Sequence, residues 1–501
     1  MTNKQDKNQQ PVEPQLTLDE IIKNRREKIA ALRVEGINPY PYRYTRSHVI
    51  SDVRDNFDEL AQKETVVRLA GRMMLKRRMG KAAFADIHDL TGRIQIYVKI
   101  NNVGEDQFAL FNKMDLGDII GVEGTLFITR TGEKTVQVSK FELLAKSLHP
   151  LPDKHSGLVD KEMRYRRRYT DLIVNPEVRE TFIKRSRIIH SIREFLTEQG
   201  FIEVETPILQ PLYGGAAARP FVTHHNTLDI ELYLRIADEL YLKRLIVGGF
   251  DKVWEYCKDF RNEGMDRLHN PEFSMVELYW AYADYKDIMH LFQNLLRKVV
   301  YDLHGSYKIP YEEHEVDFEP EFRQVSMVDA IRETTGVDLM PLSFEDAKAK
   351  AKETGVEGDG LINWGKVVEA MFEQFVEPTL IQPTFIIDFP LDISPLAKVH
   401  RDNPKLTERF ELYIAGLEMG NAFSELNDPD DQLARFEAQV AAGRAGDDEA
   451  HQLDEDYVRA LSHGMPPTGG LGFGIDRLIM LLTNSHSIRD VIFFPQMRPE
   501  E

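Results

Sequence analysis

The segment Gly469-Gly470-Leu471-Gly472-Phe473-Gly474-Ile475-Asp476-Arg477 packs four glycines into six residues, just before the apolar run Leu478 to Leu482. Glycine at that density lets a ligand come close to the backbone, as a phosphate cradle requires. The spacing nonetheless excludes the two common nucleotide folds. A dinucleotide-binding G-x-G-x-x-G needs glycine where Ile475 stands, and the G-x-x-x-x-G-K-[ST] loop is absent. What remains is a glycine-rich strand entering a helix beside Arg477, where a flat ring could lie against the main chain.

The rest of the chain sets further bounds. Its 501 residues predict about three domains as a soft prior. Cys257 is the one cysteine, so an intrachain disulfide and a Cys-based zinc cluster are both excluded. The polar opening MTNKQDKNQQPVEPQ lacks the apolar core of a signal peptide. Apolar runs are far too short to span a bilayer. These features predict a soluble, reduced, cytoplasmic protein with no membrane partner. A formal charge of −19 argues at first against nucleic acid. The charge is divided, however. Residues 1–190 carry 34 basic and 26 acidic side chains, whereas 191–501 carry 29 and 56, giving +8 and −27.

Residues 1–16 read as a disordered tail. A helix is predicted from Thr17, with Thr17-x-x-Glu20 as a capping box and Gly36 near its end. Lys23, Arg25, Arg26, Lys28 and Arg33 make it basic, which fits a solvated face or a phosphate contact. From Val66 to Leu144 the text turns to short alternating runs with Thr91-Gly92 and Thr131-Gly132 turns. Five such strands fit an OB-fold barrel. Arg72, Lys76, Arg77, Arg78 and Lys81 lie near Phe84, the charge and ring that single-stranded nucleic acid requires. Residues 149–170 read as a linker, and 171–501 as a mixed domain with a helical insertion near 312–380.

Within that domain, Arg179 to Leu209 reads as an amphipathic helix, then the strand FIEVET and Pro207. In KDFRNEGMDRLHNPEFSMVELYW, Arg261 and Glu263 stand two apart, where a guanidinium can grip phosphate and a carboxylate can accept from an adenine amino group. Glu411, Glu418 and Glu425 fall on a predicted pair of strands, and carboxylates suit Mg²⁺ beside substrate phosphates.

Together these stretches resemble, in order, the three signature motifs of class II aminoacyl-tRNA synthetases. FRNEG…HNPEF resembles motif 2 and GGLGFGIDRL motif 3, while the helix, strand and Pro207 resemble motif 1. An OB domain ahead of the catalytic domain is similar to subclass IIb, which charges Lys, Asp or Asn. MRYRRRYTDLI, GGAAARPF, HHNTLDIELYLRIADELYLKRLIVGGF and GNAFSELNDP are close to bacterial lysyl-tRNA synthetases, from about residue 17 to the C-terminus. The resemblance implies an α+β fold, a five-stranded OB barrel followed by an antiparallel sheet flanked by helices. It also implies ATP, L-lysine and tRNA(Lys) as substrates, Mg²⁺ on the phosphates, and a homodimer.

By the same resemblance, Arg261 clamps the α-phosphate and the amino-acid carboxylate. Glu263, His269 and Asn270 contact ATP, and Phe273 and Arg477 sandwich its adenine. Glu411 and Glu418 hold Mg²⁺. Gly215 and Glu239 receive the α-ammonium of lysine, and Glu425 and Tyr279 its ε-ammonium, with Glu277, Asn421 and Phe423 completing the pocket. Arg77, Phe84, Gln95 and Glu133 fall where the family reads the anticodon. Some relatives carry an arginine directly before His269, where this chain has Leu268 with Arg267 one step away. A long cationic substrate needs a carboxylate at its far end, which Glu425 supplies; an aspartate site would need a cation there. The alternatives are an aspartyl- or asparaginyl-tRNA synthetase, a paralogue that lysylates a protein, and a non-catalytic nucleic-acid binder of the same fold.

Overall fold

The computed structural model describes residues 16–152, 158, 160–358, 360–444 and 453–500. Residues 1–15 of the expected tail, and 153–157 and 159 of the expected linker, lie outside the described residues. The chain divides into two compact units, Met1–Val159 and Asp160–Glu501.

In the first unit, helix α1 (Leu18–Val34) starts where the capping box places it. The Glu20 carboxylate accepts from the Thr17 N–H at 2.7 Å, and the Thr17 hydroxyl accepts from the Glu20 N–H at 3.3 Å. Leu32 is buried in the core of the neighbouring barrel. Part of the basic face is structural rather than solvated. Arg25 is buried and donates to the carbonyls of Ser147, His149 and Leu116 at 2.9–3.2 Å.

Five strands close the barrel: β1 (Val67–Met79), β2 (Ala82–His88), β3 (Arg93–Lys99), β4 (Ile119–Ile128) and β5 (Lys134–Ala145), in the order β1-β2-β3-β5-β4. Closure satisfies backbone groups that an open sheet leaves at its edges. Ile94, Ile96 and Val98 show the inward half of the alternation, all buried. Lys76 is no surface charge. It donates to the carbonyls of Phe111, Asn112 and Met114 at 2.7–3.1 Å, at the end of the helix Glu105–Lys113. Arg72 likewise donates to the Gly117 carbonyl at 2.8 Å.

The second unit begins with two short helices, Lys161–Arg166 inside the stretch expected as linker and Arg168–Val174 running out of it. The charge there is consumed internally. Asp160 accepts from the Glu162 N–H at 2.8 Å, and buried Arg168 pairs with Asp171 at 2.7 Å. The long helix α2 (Pro176–Glu198) has proline in its first turn and buries Phe182, Ile188, Ile192, Phe195 and Leu196.

An eight-stranded sheet follows, interleaved with helices. Its members are β6 (Ile202–Glu203), β7 (Lys252–Phe260), β8 (Glu272–Ala281), β9 (Arg323–Ser326), β10 (Thr384–Ile387), β11 (Arg409–Ile414), β12 (Leu417–Ser424) and β13 (Thr468–Gly474). Helix α3 (Glu239–Val247) precedes β7, α4 (Tyr285–His304) follows β8, and α5 (Ile475–Thr483) follows β13. The order is β9-β10-β11-β12-β13-β8-β7-β6, antiparallel except for the outer pairs β9/β10 and β6/β7. FIEVET yields only two strand residues, because the Thr206 N–H and hydroxyl bond the Glu255 carboxylate at 3.0 and 2.7 Å instead of continuing a ladder.

Within the expected insertion, helices Met327–Thr335, Phe344–Glu353 and Trp364–Phe375 surround a core of their own. Its strand β9, however, joins the main sheet. Helix α4 packs on the back of β12 and β13, with the Phe292 ring 5.2 Å from Phe473. Phe292 is fully buried, so Phe292→Ala is expected to cost about 3–5 kcal/mol in chemical denaturation. A loss below about 1 kcal/mol would mean that this contact does not brace the sheet.

Candidate active site

Strand register explains where the cavity lies. One cross-strand row runs Glu255, Glu277, Gly472, Asn421, Glu411. The next runs Val253, Tyr279, Gly470, Phe423, Arg409. Facing residues share a side of the sheet, and residues two apart return to it. Gly470, Gly472 and Gly474 therefore form a column without side chains on one face. Leu471 and Phe473 turn to the other face and are buried. Over the bare column lies a cavity of about 370 Å³. The glycines flagged by sequence thus make the floor of a site.

Sequence-predicted residues line this cavity from both ends. At one end stand Arg261, Glu263, His269, Asn270, Phe273, Glu418 and Arg477. Arg261 lies just past β7, its guanidinium 5.1 Å from the Phe273 ring centre. Arg477, in the first turn of α5, donates to the Glu418 carbonyl at 3.0 Å and its carboxylate at 3.1 Å. A second Arg477 nitrogen lies 3.3 Å from His269 Nε2. His269 Nδ1 lies 2.8 Å from the Asp266 carboxylate, which also accepts from the Leu268 and His269 N–H groups. Leu268 lines the cavity, whereas Arg267 turns away to Glu312 at 3.3 Å.

At the other end stand Gly215, Glu239, Glu277, Tyr279, Asn421, Phe423 and Glu425. Gly215 has φ +89°, and a Cβ there would lie 3.0 Å from Ala237. Burial pushes the carboxyls of Glu277 and Glu425 well above the ordinary range, and that of Glu239 upward. Behind them is a residue no motif singles out. Lys243, fully buried on α3, pairs with both Glu239 and Glu425. Burial alone would lower its ammonium, but the two carboxylates overcome that and hold it well above the ordinary lysine value. The available signal is the four-residue spacing Glu239-x-x-x-Lys243, which α3 turns into one face. Cys257 is buried, and burial with Asp259 and Asp238 pushes its thiol far up, so it stays protonated.

Glu411 does not line that cavity. It lines an adjoining one of about 310 Å³, which shares Leu268, His269, Glu418 and Arg477 with the first. Glu411 accepts from Arg409 and from the Tyr413 hydroxyl, each at 2.6 Å. Burial pushes its carboxyl up to about 7; Arg409 opposes this, and the charge of Glu418 adds to it. A cation near Glu411 and Glu418 would offset that cost. Two carboxylates fit Mg²⁺, which completes its shell with water and phosphate oxygens. Among the described residues, the three-ligand cluster at metal spacing is Asp238, Cys257 and Asp259, where Arg235 already supplies positive charge at 2.9 Å from Asp238.

On the barrel, register places Arg77 opposite Phe84, Phe84 opposite Tyr97, and Asp86 opposite Gln95. Arg77, Phe84 and Gln95 thus share the outward face. Tyr97 and Phe127, which no motif marks, extend Phe84 into an aromatic strip with ring centres 4.7 and 5.9 Å apart. Glu133 sits in the turn before β5 and accepts from Arg93 at 3.0 Å.

Residues 160–498 match the family described as tRNA synthetases class II (D, K and N), and 67–144 match the OB-fold nucleic acid binding domain. The chain is a class II aminoacyl-tRNA synthetase. It is 56% identical to a lysine–tRNA ligase of Carboxydothermus hydrogenoformans, covering 97% of this chain and 99% of that one. A Bacillus subtilis lysine–tRNA ligase is 54% identical, with 96% and 98% covered. The chain belongs to the lysine–tRNA ligase family.

The bare column makes a direct test. A Cβ at Gly470 would overlap the Glu425 carboxylate and come within 2.6 Å of the Tyr279 ring. Overpacking of this kind costs about 1–3 kcal/mol. Gly470→Ala is therefore expected to raise the lysine KM roughly tenfold in ATP–pyrophosphate exchange and to leave the ATP KM within about threefold. Equal losses for both substrates would argue against this end of the cavity as the amino-acid end.

Proposed function

We propose that the cavity activates lysine with ATP and then charges tRNA(Lys), with the residues divided by its two ends. What carries this reading is placement along the glycine column: Arg477 beside Gly474 and Arg261 over Phe273 at one end, and Glu425 beside Gly470 and Glu239 beside Gly215 at the other. ATP takes the first end. Its adenine lies between Phe273 and Arg477, Glu263, His269 and Asn270 contact the nucleotide, and Arg261 holds the α-phosphate. Lysine takes the second, its α-ammonium at Gly215 and Glu239 and its ε-ammonium at Glu425 and Tyr279. Glu277, Asn421 and Phe423 complete the walls.

The lysine carboxylate attacks the α-phosphorus in line, forming lysyl-adenylate as the bond to pyrophosphate breaks. A carboxylate is already nucleophilic, so this step needs no protein base. Arg261 orients both reactants and offsets the charge gathering on the phosphoryl oxygens. The 3′-hydroxyl of the terminal tRNA adenosine then attacks the adenylate carbonyl, and AMP leaves. Glu411 and Glu418 are the residues that would hold Mg²⁺. When bound, it neutralises phosphate charge.

The barrel face of Arg77, Phe84, Gln95 and Glu133 reads the anticodon, with Phe84 as a stacking platform. Exposed Ile202, Ile208, Leu209, Val222, Leu228 and Ile230 are a large apolar share for one short stretch. They support a homodimer interface near α2 and Pro207. Among the described residues no helix is long and apolar enough to cross a membrane, consistent with a cytoplasmic enzyme.

Two substitutions divide the reading. Arg261→Ala removes charge and orientation together, so ATP–pyrophosphate exchange is expected to fall by roughly 100-fold or more. Near-normal exchange would remove Arg261 from the reaction. Glu425→Gln is expected to raise the lysine KM by roughly tenfold or more while ATP binding is retained. An unchanged lysine KM and kcat would end its specificity role.

A further inference from the structure

The two carboxylates assigned to the ammonium groups of lysine already share a cation. Lys243 is completely buried and lies outside the cavity lining. It pairs with Glu239 one turn back on α3 and with Glu425 just past β12. Its Nζ sits 5.4 Å from the Phe423 ring centre and 5.9 Å from that of Tyr279, so the pocket walls close around it. We infer that Lys243 is a positioning residue for the amino-acid substrate, whose ammonium fixes Glu239 and Glu425 from behind as a charged, oriented pair. This rests on the reading of the cavity given above.

Charge balance supports the role. The pocket carries Glu239, Glu277 and Glu425. Within the protein, Lys243 is the ion-pair partner of both Glu239 and Glu425; without it neither has one among the described residues, and a proton must take its place. The neighbours supply little else. Tyr279 and Glu277 face the site from β8, Tyr457 from the helix Glu455–Leu461, and Arg409 from β11. Burial pushes both phenols up, so they stay neutral. Arg409 is engaged by Glu411 and Asn421, at 2.6 and 3.0 Å.

The sign of the pH effect follows. Burial raises Glu239 and Glu425, and Lys243 opposes the rise. Removing the ammonium leaves them higher still. A carboxyl that keeps its proton cannot accept an ammonium as an ion pair, so lysine capture is lost toward acid and regained toward alkali.

The test compares Lys243→Met, Lys243→Gln and Lys243→Arg in the full chain, by lysine-dependent ATP–pyrophosphate exchange from pH 6 to 9, with thermal unfolding as a check on folding. Met and Gln are expected to raise the lysine KM about tenfold or more at pH 7, to keep the ATP KM within about twofold, and to move the acid limb of kcat/KM for lysine upward by about one pH unit. Arg is expected to restore the native profile. Gln can still donate hydrogen bonds and so decides the matter if Met fails to fold. A folded Gln variant with the native profile, or equal pH-independent losses for lysine and ATP, overturns the inference. The native enzyme offers a separate check: an acid limb above about pH 8 would mean that the pair is not held ionised, and also overturns it. Absence of lysine-dependent exchange in the native enzyme would instead sink the functional reading itself.

Discussion

The site depends on side chains that are missing from one face of a sheet whose other face is fully packed. β13 buries Leu471 and Phe473 against α4 and the core, which fixes its height and twist. Gly470, Gly472 and Gly474 then have to face the opposite way, because strand periodicity allows nothing else. A side chain at any of them would occupy the space that a substrate needs. The open floor is therefore a consequence of the packed back, and the neighbouring strands need only supply walls. β8 and β12 do so in register, giving Glu277 and Tyr279 on one side and Asn421 and Phe423 on the other.

A floor without side chains carries no charge of its own, so the ends of the cavity set its polarity. Arginines at one end and buried carboxylates at the other would be costly to maintain in an interior without partners. Several, and Glu411 beside them, find one within the fold. Arg477 rests on Glu418, Glu411 on Arg409 and Tyr413, and Glu239 and Glu425 on Lys243. These contacts hold charged groups in place before a substrate arrives, which is the condition for electrostatic preorganisation.

Much of this was legible in the sequence, and the parts that were not share one cause. The glycine alternation, the capped start at Thr17, the five barrel strands and the paired strands around Glu418 all follow from local periodicity and turn chemistry. So does the family resemblance, which rests on short contiguous motifs. Residues that act across distant segments escape such reading. Lys243 has meaning only because Glu425, far along the chain, folds onto it. Tyr97 and Phe127 form a strip with Phe84 only through strand register. The separate cavity around Glu411 could not be seen either, since Glu411 and Glu418 look equivalent on a linear pair of strands. FIEVET failed as a long strand for the same reason, because Glu255 on β7 captures Thr206.

The divided charge gains a more exact meaning as well. A net of +8 over residues 1–190 overstates the surface open to RNA. Arg25, Arg72 and Lys76 donate to carbonyls, and Lys146 is buried between Asp115 and Asp118. Arg77, Arg78 and Lys81 remain exposed, and register puts Arg77 beside the aromatic strip. With so few free cations on that face, phosphate neutralisation alone would give weak and strongly salt-dependent binding. What that face offers besides charge is the ring strip of Phe84, Tyr97 and Phe127 and polar groups such as Gln95. The net charge of a segment is thus a poor guide to its ligand, and the count of charges left over after folding is a better one.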